Sequence, residues 1–152
     1  MGEVLTNHHG RPRLQGFSAG SQPKGELHAL TVKFLTNLGY DLTAVRSKGW
    51  HEFSSPEAPA MDGIITVCAA AAGEACPLWP GRPVTAHWGL PDPAAAPGTE
   101  EEKLQVVQQV YLILRQRIEL LAALPVDALD PAAFREKLRE LGQVFPVAGD
   151  SL

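Results

Sequence analysis

Gly63-Ile64-Ile65-Thr66-Val67-Cys68 is the stretch on which the fold turns. A continuous β-branched run of this kind reads as the core strand of a parallel sheet, buried on both faces. Before it, Leu27, Leu30, Phe34, Leu35 and Leu38 recur at helical spacing after Pro23, and Gly39 supplies a stop. After it, Val84-Thr85-Ala86-His87-Trp88 forms a second short strand closed by Gly89 and the Pro91-Asp92-Pro93 turn. Residues 13–19, with Leu14 and Phe17, predict a further strand that stops at Gly20-Ser21. Trp50-His51-Glu52-Phe53 reads as one or two helical turns before a Pro-rich loop. Strands alternating with helices define an α/β chain whose parallel sheet carries helices on its faces, a three-layer α/β/α arrangement.

Two more helices complete the set. Thr99-Glu100-Glu101-Glu102 is a capping box, and the apolar residues behind it, Leu104, Val107, Tyr111, Leu114, Ile118 and Leu121, lie three and four apart in one stripe. The last helix opens at Asp130-Pro131, a cap followed by a first-turn proline, and ends at Gly142 with Leu138 and Leu141 inward.

Composition sets the outer limits. A length of 152 residues is one domain's worth, taken here as residues 1–142 with a tail at 143–152. Hydrophobic residues at 45% and charged residues at 20% are globular usage, and no run is long enough to span a bilayer. The net charge of −4 argues against a phosphate-backbone partner, so nucleic acid is not expected. No basic-then-apolar leader opens the chain, which points to the cytosol, where two cysteines are redox-active or buried rather than a structural staple.

Cys68 sits at the carboxyl end of the core strand, where open α/β sheets place reactive groups. Cys76 follows across a segment of mostly small residues, so the pair reads either as a disulfide relay or as a buried core thiol and an incidental loop residue. Asp92, held between two prolines after the second strand, reads either as a general acid or as an ordinary turn aspartate. Cys76 to Arg82 fits Cys-x5-Arg, but Pro77 and Pro80 have no N–H to give an oxyanion, and no helix begins after Arg82. His8, His9, His28, His51 and His87 have no metal-ligand spacing and read as solvated or capping residues; no metal is expected.

Several segments together resemble one family, the arsenate reductases built on the low-molecular-weight tyrosine phosphatase fold. They are Phe17-Ser18-Ala19-Gly20-Ser21-Gln22-Pro23-Lys24-Gly25, Arg46-Ser47-Lys48-Gly49-Trp50, Ile65-Thr66-Val67-Cys68, the run from Ala71 through Cys76 to Gly81, and Ala86-His87-Trp88-Gly89-Leu90-Pro91-Asp92-Pro93-Ala94. The resemblance implies a cysteine relay that reduces arsenate to arsenite. In it Cys68 would be the second cysteine, Cys76 the third, Asp92 the acid that protonates the leaving oxygen, and Ser18 a hydrogen-bonding support for the oxyanion loop. It implies no bound cofactor and a thiol reductant such as thioredoxin or glutaredoxin.

The family's first strand and its Cys-x5-Arg loop have no counterpart in this sequence, where residues 1–9 match the back of the helix that follows that loop. The chain by itself is therefore expected to be inactive, with a central strand missing and backbone groups left open at a cost of about 1–3 kcal/mol each where they are buried dry. Two other functions remain: a non-catalytic module or pseudoenzyme that binds a partner or a second copy through the open sheet edge, and a low-molecular-weight tyrosine phosphatase.

Overall fold

The computed structural model describes residues 1–68 and 79–146. In chain order its elements are α1 (Gly2–His9), α2 (Ala29–Asn37), a 3-10 turn at Trp50–Phe53, β1 (Gly63–Thr66), β2 (Val84–His87), α3 (Glu100–Ala123), a 3-10 turn at Val126–Ala128, and α4 (Pro131–Gln143). Strands β1 and β2 run parallel, with Gly63 opposite Val84 and Thr66 opposite His87.

Local signals set the helix ends. The Thr99 hydroxyl accepts the Glu102 N–H while the Glu102 carboxylate accepts the Thr99 N–H, the reciprocal pair that opens α3. Asp130 caps α4 by accepting the Ala133 N–H at 2.8 Å, and Pro131 occupies the first turn, where a missing N–H costs nothing. Helix α2 stops at Gly39, whose φ of +85° is left-handed backbone that glycine takes without strain.

Leu5, Leu35, Val107, Trp88 and Leu138 are fully buried and form the centre of the core. Helix α3 packs on α1, α2 and α4, and α4 packs on β2. The apolar stripe read from the sequence is the buried face of α3 from Val107 onward, with Leu104 half-buried and Val110 and Ile113 added. It also carries Arg117, which is 1% exposed. The Nε–H of Arg117 donates to the Val144 carbonyl at 2.9 Å, its carbon Cζ lies 5.9 Å from the Trp88 ring, and Nη1 has no partner among the described residues. Burial lowers the pKa of this guanidinium, which stays charged at any ordinary pH.

Two expectations are corrected. Strand β1 is half-buried along its length rather than buried on both faces, and Val67 beyond it is 41% exposed. The reason shows in β2, which alternates buried Val84 and Ala86 with exposed Thr85 and His87: one face of the pair is covered and the other is open. On the covered side Gly63 lies against Leu138 and Phe134 of α4.

Residues 13–19 form no strand. The segment begins in a turn, and the ladder contact at its end is the parallel bridge between Gly20 and Gly49, with Gly20 N–H donating to Lys48 at 3.0 Å and Trp50 N–H to Gly20 at 3.1 Å. A side chain takes the place of a neighbouring strand. The Asn7 carboxamide receives the Gly16 N–H at 2.9 Å and donates to the Gly16 carbonyl at 2.8 Å, satisfying both backbone groups at once. Position 16 must be glycine for this approach, because a Cβ there would lie 2.6 Å from the Thr6 side chain.

Candidate active site

Because β1 and β2 are parallel and in register, the segments that follow them leave the same edge of the sheet. The ladder continues past both strands, with Trp88 N–H donating to Thr66 at 2.8 Å and Leu90 N–H to Val67 at 2.9 Å. Cys68 therefore follows directly on a residue hydrogen-bonded to the segment that bears Asp92. The Cys68 thiol is free and half-buried. Cys76 lies outside the described residues, so of the two cysteines only Cys68 is located.

Asp92 is exposed, and its Oδ1 accepts the Ala94 N–H at 2.9 Å while its carbonyl accepts the Ala95 N–H at 3.1 Å. This is turn chemistry, and it holds the carboxyl group in one place at the sheet's carboxyl edge. The backbone behind it is anchored by Trp88, whose indole N–H donates to the Leu138 carbonyl at 2.7 Å. Gly142 of α4 fits tightly against the same segment, since a Cβ there would lie 2.8 Å from both the His87 carbonyl and Trp88 Cδ1.

Ser18 is half-buried and donates to Glu3 in the first turn of α1. The same carboxylate oxygen receives Lys48 Nζ at 2.8 Å, an ion pair whose side chains are only 6% and 13% exposed. Residues from three separate stretches, Glu3, Ser18 and Lys48, are thus tied together at the start of α1. Arg82, the far end of the rejected Cys-x5-Arg match, is exposed in a turn with φ of +54°.

Reading the sequence missed the Glu3–Lys48 pair, because 45 residues separate its members and no periodicity links them. It also missed the contact of His87, whose Nδ1 lies 2.8 Å from Thr66 Oγ1 on the open face of the sheet; the register of the two strands is the signal that finds it. Among the described residues no three His, Cys, Asp or Glu side chains are grouped to hold a metal ion, and no helix is long and apolar enough to cross a membrane.

A parallel sheet flanked by helices is an architecture already seen among solved structures. The crystal structure of the arsenate reductase from Archaeoglobus fulgidus superposes with a TM-score of 0.58 at 19% identity, covering 81% of this chain and 88% of that one, a likeness of fold. No protein-family model matches the chain. Curated relatives carry the sequence evidence. Arsenate reductase of Shouchella clausii is 34% identical over 122 residues, 80% of this chain and 84% of its own length. That of Oceanobacillus iheyensis is 34% identical over 70% of this chain and 73% of its own length. The Bacillus subtilis arsenate reductase is 36% identical over 62% of this chain and 64% of its own. The chain belongs to the arsenate reductase family.

Proposed function

We propose that this domain serves the reduction of arsenate to arsenite through a cysteine relay. The observation that carries the reading is a free thiol beyond the carboxyl end of β1 in a chain 34% identical to an arsenate reductase over most of both lengths. In the proposed sequence an upstream thiolate first forms a sulfur–arsenic(V) adduct, and Asp92 protonates the oxygen that leaves. The Cys68 thiolate then attacks the sulfur of that adduct. A sulfur–sulfur bond forms, the sulfur–arsenic bond breaks, and its electron pair stays on arsenic, which departs as arsenite. Cys76 next attacks Cys68, freeing the first sulfur as a thiolate and leaving a Cys68–Cys76 disulfide. A dithiol reductant of the thioredoxin or glutaredoxin class returns both to thiols, chemistry that suits a reducing cytosol.

The loop that would hold the oxyanion is a Cys-x5-Arg loop, and residues 1–152 contain that spacing only at Cys76 to Arg82, where two prolines spoil the cradle. The test therefore supplies a strand and such a loop ahead of Met1 and measures arsenite released with thioredoxin or glutaredoxin as reductant. Thiol-dependent turnover is expected, and Asp92→Asn lowers it about 100-fold through loss of the proton donor. Absence of turnover from a folded chain of this kind removes the reading.

One observation favours a second reading. Among the described residues β1 has a strand on one side only, which leaves its other edge open to a strand from a second copy of the chain. Light scattering decides it: a dimer supports strand exchange, and a monomer removes it.

A further inference from the structure

His9 closes α1, and its ring meets two other parts of the chain. Its Nδ1 lies 3.5 Å from Glu119 Oε1 on α3, and its Nε2 lies 3.0 Å from the hydroxyl of Tyr40, just beyond α2. That hydroxyl in turn lies 3.1 Å from the hydroxyl of Tyr111 on α3. Arg115, one turn before Glu119, donates its Nε–H to the same carboxylate at 2.8 Å, and the His8 ring stands edge-on to Tyr40 at 4.9 Å. Tyr40, Tyr111 and Arg115 also line a cleft of about 330 Å³ that connects the group to solvent.

The donors and acceptors fix a direction along this chain of contacts. A carboxylate only accepts, so neutral His9 turns Nδ1–H toward Glu119 and leaves the Nε2 lone pair for the Tyr40 O–H. The Tyr40 oxygen is then free to accept the Tyr111 O–H. A proton added at Nε2 takes that acceptor away: Nε2–H must donate to the Tyr40 oxygen, and the Tyr40 O–H must turn either out to the cleft or to Tyr111, in which case the Tyr111 proton is left to find an acceptor. Arg115 beside it can only donate. Tyr111 is buried, so an unmet hydroxyl there is costly.

We propose that His9, Tyr40, Tyr111 and Glu119 form an acid-sensitive joint that fastens α1 to α3 while His9 is neutral and loosens when it is protonated. Charges around His9 act in both directions. Burial first and then His8 hold its pKa below the ordinary 6.5, against an upward pull from Glu119 that is smaller than either, with Arg115 adding the least on the lowering side. Tyr40, pushed up to about 12 by burial and by its bond to Tyr111, remains a hydroxyl throughout. The native chain thus takes up this proton less readily than the unfolded chain does. The joint's full contribution is present above pH 6.5 and is lost as the pH falls through the lowered value of His9. The joint lies at the end of α1 opposite the Glu3–Lys48 pair, and it does not depend on the arsenate reading.

The experiment compares the unaltered chain with His9→Gln, which keeps a partner for Tyr40 but cannot titrate, by urea unfolding near pH 7.5 and near pH 5.5, each about one unit from an ordinary histidine pKa. The His9 ring is also titrated by NMR in the unaltered chain, so the result does not depend on the variant folding. The expected outcome is that acid raises the unfolding constant of the unaltered chain several-fold more than that of His9→Gln, with the ring titrating below 6.5. Equal acid sensitivity in the two chains, or a His9 ring titrating at or above 6.5, overturns the proposal.

Discussion

Replacing Trp88 with alanine is expected to lower stability by about 3–5 kcal/mol, a large part of the roughly 5–15 kcal/mol that holds a domain of this size. The side chain is 1% exposed, so its loss opens a cavity that the neighbouring elements cannot readily fill. It also leaves the Leu138 carbonyl without the indole donor at 2.7 Å, and Arg117 without the ring 5.9 Å from its guanidinium. A buried cation with no carboxylate partner among the described residues then loses one of the few groups compensating its charge. Urea unfolding reads the effect as a shift in midpoint with unchanged slope. Trp88→Phe fills most of the space but cannot donate, and about 1–2 kcal/mol of loss is expected from it. The same substitutions loosen the anchor of the segment that carries Asp92, four residues on.

The second large effect is chemical. In a chain supplied with the oxyanion loop, Cys68→Ser is expected to reduce arsenite release about 1000-fold or more while leaving the fold intact. Serine is nearly the size of cysteine, and the position is half-buried beyond the end of a strand, so packing changes little. What disappears is the nucleophile. A neutral hydroxyl neither attacks sulfur at a useful rate nor yields a bond that a dithiol can reduce, so the arsenic adduct has no route to arsenite. Circular dichroism of the variant, unchanged beside lost turnover, separates this from unfolding.

What could be read from the sequence was local. Thr99 and Glu102, Asp130 and Pro131, and the stop at Gly39 each act within a few residues, and each is found where the pattern placed it. The apolar run puts Cys68 at the end of a strand over 63–68, and β1 stops two residues earlier, at Thr66, leaving Cys68 just beyond it. Burial was less legible, since whether Ile64 and Thr66 are covered depends on which elements lie over them and not on their own side chains. Residues 13–19 have the composition of a strand, yet Gly16 takes both its hydrogen bonds from the Asn7 side chain, a partner that no propensity encodes. Long-range pairs were invisible for the same reason. The sequence reads His9 as a solvated or capping residue, because Tyr40, whose hydroxyl lies 3.0 Å from its ring, is 31 residues away.

The account stands or falls on the path of electrons through Cys68. Peptide mapping of the loop-supplied chain, quenched after one round with arsenate and no reductant, locates the bond in which the oxidising equivalents end. A Cys68–Cys76 disulfide, formed in step with the arsenite released, is the predicted result. Arsenite appearing while both of these cysteines remain as thiols would contradict it.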